Sequence, residues 1–331
     1  EVNLRLKNRG APAPLWMKVY KSLDSFVPVK NAVVTQGTFD GVHIGHREIL
    51  KRLKNIAAEK NGETVVLTFF PHPRMVLQPD DNTLKLLHTE NEKIEHLRNA
   101  GIDHLIIIPF TKEFSRQSSM GFVRDVLVTS IGIKTLVIGY DHRFGKNREG
   151  SMDDLREFGQ IYDFEVEEIP AQDIDAVTVS STKIRTALQQ GDVETANRYL
   201  GYSYTVNGKV VAGNSLGKKI GFPTANISVE ESYKLVPGDG VYAVYVTFDG
   251  VRRGGMANIG KQPTFDNRNH AFEVHIFDFE SDIYNRQIKV EFVARLRSEM
   301  KFAGVEALVE QLKNDKKAAY ELLNAHEEKS S

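Results

Sequence analysis

The stretch AVVTQGTFDGVHIGH, residues 32–46, decides the fold. It opens on a β-branched run, breaks at Gly37, and gives way past His46 to a charged segment with helical spacing. A strand delivered through a glycine turn into a helix N-terminus leaves unpaired backbone N–H groups and the positive end of the helix dipole facing outward. Such a corner attracts an anion, and phosphate is its natural guest. Gly41 and Gly45 let a ligand approach the backbone closely, and His43 and His46, on either side of Gly45, can aim imidazole donors at the same oxygens. The pattern is neither the G-x-G-x-x-G of a dinucleotide fold nor a P-loop, since the Gly-Lys-Ser/Thr ending is missing.

Working outward, the same theme recurs. Apolar runs at 32–39, 64–70, 104–110, 135–140 and, more weakly, 164–169 alternate with helical spacing over 47–60, 90–100, 121–131 and 152–162. That alternation predicts a parallel α/β sheet. The run SSTKIRTALQQGDVETANRYLG, 180–201, reads as two short helices with Ser180 or Ser181 as N-cap and Gly191 as the break, and it closes the first domain. From Tyr202 the texture changes to strands bounded by Gly and Asn, at 204–211, 240–248, 254–259, 271–276 and 287–294. With no helices between them they predict a compact antiparallel β-barrel. An amphipathic helix over 305–324 is expected to pack against it. The fold class is therefore α/β plus β, with domains at 17–200 and 201–331. Residues 1–16 carry little hydrophobic periodicity and precede a plausible start at Met17, so they read as an appended leader rather than an ordered extension.

The composition narrows the partners. A chain of 331 residues exceeds what one hydrophobic core serves, which fits two domains. Lys+Arg 43 against Asp+Glu 44 gives a formal charge of −1, so no global field gathers nucleic acid or anionic lipid. The absence of cysteine excludes disulfides, thiolate nucleophiles and Cys-ligated zinc or iron–sulfur centres, and fits a reducing compartment. No apolar stretch approaches the ~18–20 residues of a membrane helix. The chain reads as cytoplasmic, without a nucleic-acid or membrane partner and with its oligomeric state open.

A second constellation lies in the other half. Gly213-Asn214-Ser215-Leu216-Gly217-Lys218-Lys219-Ile220-Gly221 is a basic, glycine-spaced loop that runs into Phe222-Pro223-Thr224-Ala225-Asn226. Backbone N–H groups and lysines such as Lys218 can wrap a polyphosphate there. Thr224 and Asn226, two apart on an extended segment, point to one face and offer neutral oxygens to Mg²⁺.

Both constellations resemble known signatures. The first resembles the HxGH signature of the nucleotidyltransferase superfamily, in the G-x-FDGVH-x-GH form of bacterial FAD synthetases, bifunctional riboflavin kinase/FMN adenylyltransferases. TFFPHPRMVL (68–77), GYDHRFGKNREG (139–150) and SSTKIR (180–185) support it. Two positions depart from the family pattern: Phe70 stands where an acid often precedes Pro-His-Pro, and His142 where a second aromatic often follows Gly-x-Asp. The second resembles the riboflavin kinase signature G-F-P-T-A-N. PGDGVYA (237–243), ANIGKQPTF (257–265), FEVHIFDF (272–279) and VEFVARLRSEMKF (290–302) accompany it.

The resemblance implies a Rossmann-like nucleotidyltransferase domain with flanking helices, followed by a riboflavin kinase barrel with a terminal helix. It implies that ATP phosphates are held by His43, His46, Ser181, Thr182 and Arg185, with Gly37, Phe39, Gly41 and Gly45 lining the nucleotide. In the barrel it implies Glu273 as the base for the riboflavin 5′-hydroxyl and Thr224 and Asn226 as Mg²⁺ ligands, with Gly213, Gly217, Lys218, Gly221 and Asn258 around ATP. His72, Asp141, Phe144 and Arg297 are the candidate flavin contacts. Riboflavin, FMN and ATP are then the small-molecule partners, with FMN and FAD as products. The alternatives are an enzyme with only its kinase half active and a flavin- or nucleotide-binding regulator without turnover.

Overall fold

The structure is a computed structural model and describes residues 16–81, 83–139, 143–170, 179–213, 217, 220–261 and 270–330. The chain divides into two compact units. One runs to Leu84 and resumes over Glu90–Thr178; the other joins Lys85–Thr89 to Val179–Ser331.

In the first unit the strands β1 (Lys18–Tyr20), β2 (Ala32–Gln36), β3 (Thr64–Phe70), β4 (His104–Pro109), β5 (Ile133–Gly139) and β6 (Glu165–Ile169) form one parallel sheet, ordered β1-β4-β3-β2-β5-β6. Along it run α1 (Ile44–Glu59), α2 (Pro73–Leu77), α3 (Glu90–Asn99), α4 (Ser119–Gly121, continuing as a π-helix over Phe122–Ile131) and α5 (Met152–Tyr162). β2 is buried because successive side chains enter two covered faces. Val33 joins Val66, Leu105 and Val137 against Leu50, Leu53 and Ile56 of α1 and Leu97 of α3. Ala32 and Val34 join Val65, Leu67 and Ile106 against Val123, Leu127 and Leu155 on the opposite face.

From β2 the chain steps outward through β3 to β4, then crosses to the other side of β2 for β5 and β6. The order therefore reverses between β2 and β5, and open parallel sheets bind ligands outside the carboxyl ends of their strands at such a switch. β2 ends at Gln36, three residues before the expected end at Phe39, so the whole of Gly37–His46 stands at that edge.

The second unit opens with α6 (Ser181–Gln189) and α7 (Val193–Leu200), separated at Gly191 as expected. A closed antiparallel barrel follows, β10-β11-β8-β7-β12-β9, built from β7 (Thr205–Val211), β8 (Ala225–Ser228), β9 (Gly240–Phe248), β10 (Val251–Lys261), β11 (His270–Ile276) and β12 (Gln287–Arg297). Tyr242, Val244 and Val246 of β9 fill the interior with Val274, Val290 and Phe292. The alternate residues Ala243 and Tyr245 face outward with Met256 and Phe277, under Ala319 and Leu323 of the long terminal helix α8 (Val305–Ser330).

The packing division falls at Thr178/Val179, where the sequence reading placed the boundary at 200/201. The reason is the apolar face of α6 and α7: Ile184, Leu188, Val193, Ala196 and Leu200 share one core with the barrel interior. Leu87 of the strap Lys85–Thr89 enters the same core, and the buried Lys234 donates to its carbonyl at 2.6 Å from beneath the Tyr204 ring. Of the sixteen residues read as a leader, 1–15 lie outside the described residues, and Met17, next after Trp16, is buried in the core shared with α1 and α3.

Candidate active sites

The turn after β2 is held in an unusual shape. Phe39 (φ 47°), Gly41 (φ 90°) and Val42 (φ 35°) all have positive φ, and for the β-branched Val42 that is a strained conformation. Gly41 is the member of the three for which such a φ carries no side-chain clash. The Thr38 carbonyl accepts from Lys93 Nζ at 2.7 Å and from Thr68 Oγ1 at 3.2 Å, which fixes the entrance of the turn. Phe39 is buried and packs against the His46 ring at 5.1 Å.

His43 is the N-cap of α1, so His46 lies in its first turn. The two imidazoles stack, with centroids 3.7 Å apart and planes at 17°. The His46 backbone N–H donates to His43 Nδ1 at 3.4 Å, which in the neutral ring leaves the proton on Nε2. His46 Nδ1 is buried with no hydrogen-bond partner. Burial, then the charges of His43 and Lys93, push the His46 pKa well below 6.5. An electropositive helix start flanked by two stacked imidazoles, with His46 kept neutral by burial, suits a guest that brings its own negative charge.

The remaining first-unit candidates separate. His72 caps α2, its Nδ1 accepting from the Arg74 N–H at 3.2 Å. Phe144 is buried in the core against Phe122 and bridged to Gly150. Asp141 and His142 lie outside the described residues. The departure Phe70 packs half-buried beside the core of α1. The sequence reading missed a half-buried aromatic triad at the carboxyl ends of β3 and β4, Phe69, Phe110 and Phe114, with centroids 5.7 to 5.8 Å apart. The aromatic residues at the ends of the runs 64–70 and 104–110 were the available signal.

Ser181, Thr182 and Arg185 belong by packing to the second unit. Ser180 is the N-cap of α6, accepting from the Lys183 N–H at 3.3 Å, and Ile184 and Leu188 of the helix are buried.

In the barrel, register assembles the kinase candidates. Asn226 of β8 pairs with Glu273 of β11, and Glu273 pairs with Asn258 of β10, so the three share one rung and one face. Their strand neighbours Val274 and Ile259 point into the core, which turns this face outward. Thr224 Oγ1 donates to Glu273 Oε2 at 3.1 Å, leaving its lone pairs for a cation. His275 Nδ1 donates to the Pro223 carbonyl at 2.8 Å and its ring packs on Phe222, pinning the turn that carries Thr224; burial lowers its pKa below 6.5. Gly213 lies so close to Asn226 that an added Cβ would stand 1.8 Å from Nδ2. The Phe222 N–H donates to the Gly217 carbonyl at 2.8 Å, and Gly221 follows in open space, whereas Lys218 lies outside the described residues. A cavity of about 200 Å³ opens beside Thr224, with Val210, Ala225, Val274, Ile276 and Phe279 among its walls.

Arg297 is engaged elsewhere. Its Nε and one terminal nitrogen donate to the buried Asp315 of α8 at 2.8 to 3.1 Å, and Gln311 donates to the same carboxylate. Among the described residues no group of three or more His, Asp and Glu is placed to hold a metal ion. The oxygen pair of Thr224 and Asn226 instead suits a hard cation that arrives with most of its ligands supplied by phosphate.

The molecule thus presents two separate candidate phosphate sites, one at the switch of a parallel sheet and one on the outer face of a barrel. Residues 28–183 match the family model of FAD synthetase and residues 200–323 that of riboflavin kinase. The bifunctional riboflavin kinase/FMN adenylyltransferase of Listeria monocytogenes is 41% identical over 286 residues, 86% of this chain and 90% of that one. Its counterpart from Bacillus subtilis is 39% identical over 295 residues, covering 87% and 91%. A crystal structure from Streptococcus pneumoniae described as a macrolide-efflux protein matches with a TM-score of 0.84 and 32% identity, over 92% of this chain and 98% of that one. The efflux description belongs to that protein; no helix among the residues described here is long and apolar enough to cross a membrane. The chain belongs to the family of bifunctional riboflavin kinase/FMN adenylyltransferases.

Proposed function

We propose that the barrel unit phosphorylates riboflavin to FMN and that the α/β unit transfers AMP from a second ATP to FMN, giving FAD and pyrophosphate. The observation that carries this reading is the coincidence of each family match with its own site: the turn at the sheet switch within 28–183, and the Thr224–Glu273 pair within 200–323.

In the kinase reaction the riboflavin 5′-hydroxyl oxygen attacks the γ-phosphorus of ATP, ADP leaves, and Glu273 receives the hydroxyl proton. Thr224 and Asn226 hold Mg²⁺ that enters with ATP, and the ion supplies charge neutralisation at the phosphates. The cavity beside Thr224, walled by Val210, Val274 and Ile276 on one hand and by Ser281 and Asp282 on the other, takes the adenine. Gly213, Gly217, Lys218, Gly221 and Asn258 surround the nucleotide in this reading. Arg297 serves to fasten α8, on the support of its bonds to Asp315.

In the adenylyl transfer a phosphate oxygen of FMN attacks the α-phosphorus of ATP and pyrophosphate departs. Positioning and charge stabilisation do the work, without a covalent intermediate on the protein. His43, His46 and the N-terminus of α1 supply it, and Ser181, Thr182 and Arg185 are assigned to ATP by their motif. The isoalloxazine ring rests on Phe69, Phe110 and Phe114, whose half-buried faces offer a stacking surface. His72 and Asp141 stay candidates for its polar edge, and Phe144 supports it from the core. Both reactions belong to the cytoplasm, where ATP and Mg²⁺ are at hand.

The test is a chromatographic time course of the protein with riboflavin, ATP and Mg²⁺. FMN followed by FAD is the expected result. FMN that never becomes FAD leaves a kinase alone, and neither product removes both assignments.

A further inference from the structure

Lys93 is a buried lysine in the first turn of α3, with 6% of its surface exposed. The position is doubly unfavourable. An ammonium loses its hydration there, and the N-terminal end of a helix repels positive charge. What it meets offsets this. Its Nζ donates to the Thr38 carbonyl at 2.7 Å, the acceptor that Thr68 Oγ1 also reaches at 3.2 Å. Asp40, buried to 1% exposure in the same turn, and Glu90 one helical turn back supply attracting charges. Between this clamp and His43 lie the positive-φ residues Phe39, Gly41 and Val42, a conformation that persists only if its surroundings fix it. The opposite end of the turn is fixed by the N-cap His43 and the buried His46, whose imidazole lies within the field of Lys93.

We infer that Lys93 is a positioning residue for adenylyl transfer: from α3 it fastens the Thr38 carbonyl and holds Phe39–Val42 in the shape that presents His43 and His46 to the nucleotide phosphates. The inference rests on the assignment of His43 and His46 proposed above. Lys93 touches the turn and not the substrate, so its removal moves the reacting groups without deleting one. A misplacement of that kind, of about 1 Å, costs on the order of 100-fold in rate.

The intact chain carries its own folding control, because riboflavin phosphorylation uses the other unit. Lys93→Met is expected to lower kcat for FAD formation from supplied FMN by roughly 100-fold and to raise KM for ATP, with riboflavin phosphorylation kept within about twofold. Lys93→Arg, which still donates to a carbonyl, is expected to recover most of the loss. Thr68→Val, which removes the second donor at similar volume, is expected to act in the same sense by a few-fold. The inference is overturned if Lys93→Met leaves kcat for FAD formation within twofold, or if Lys93→Arg is as impaired as Lys93→Met with phosphorylation intact. Should Lys93→Met lose both activities, Thr68→Val decides: a selective fall in FAD formation supports the clamp, and no change overturns it. His46→Ala in the same assay separates the two levels. If it also leaves FAD formation unchanged, the assignment of the histidines fails; if it abolishes FAD formation while Lys93→Met does not, only the role of Lys93 fails.

Discussion

Thr224 Oγ1 donates to Glu273 Oε2 at 3.1 Å, and the rung that carries Glu273 also carries Asn226 and Asn258. A base must be aimed as well as present, and this bond aims it. Glu273→Gln keeps the shape and the acceptor for Thr224 but cannot take the hydroxyl proton. Riboflavin phosphorylation is expected to fall by about 10²–10⁴-fold. FAD formation from supplied FMN, measured in the same preparation, is expected to stay unchanged.

Gly213 makes room for Asn226. An alanine there would place its Cβ 1.8 Å from Nδ2 and 2.4 Å from Cγ, so the carboxamide must swing away. Gly213→Ala is therefore expected to raise the Mg²⁺ concentration needed for half-maximal kinase activity by several-fold, since an oxygen donor leaves its place. A Mg²⁺ titration of kinase rate checks this, with the adenylyl transfer titration as the reference.

His46 makes stability depend on pH. Its folded pKa lies well below 6.5, chiefly through burial and then through the charges of His43 and Lys93. Below roughly pH 6.5 the unfolded chain binds a proton there that the folded chain refuses, so acidification from neutrality lowers stability. The melting temperature of ligand-free protein is expected to drop more steeply between about pH 7 and 5 for the wild type than for His46→Gln. Parallel slopes would show that the imidazole titrates freely.

The Arg297–Asp315 pair ties the end of β12 to α8. Its side chains are 16% and 4% exposed, so removing one partner strands a buried charge. Arg297→Met is expected to cost about 3–5 kcal/mol, and the double variant with Asp315→Leu to recover much of it. Thermal melting reads the effect directly. A raised KM for riboflavin with unchanged melting would instead return Arg297 to the flavin.

Much of this architecture was legible from residues 32–46 outward. β2, its glycine turn and α1 follow from an apolar run broken at Gly37, and α6 and α7 from Ser180 and Gly191. What was not legible depends on neighbours. β1, β8 and α2 are too short to show a period, and β8 exists because Ala225–Ser228 find β11 on one edge and β7 on the other. The apolar spacing of Ile184, Leu188, Ala196 and Leu200 shows that a face is buried but not which core receives it. Lys93 reads in sequence as one charge in a polar helix; only the packing of α3 against the sheet puts it on the Thr38 carbonyl. Arg297 likewise reads as a candidate flavin contact until α8 brings Asp315 to it.

The central claim is two independent sites in one chain, and complementation tests it most directly. Glu273→Gln protein and His43→Ala/His46→Ala protein are each given riboflavin, ATP and Mg²⁺, alone and mixed, and FMN and FAD are followed by chromatography. The first is expected to form neither product, the second to accumulate FMN without FAD, and the mixture to form FAD. A histidine variant that forms no FMN, or a mixture that stops at FMN, would contradict the account.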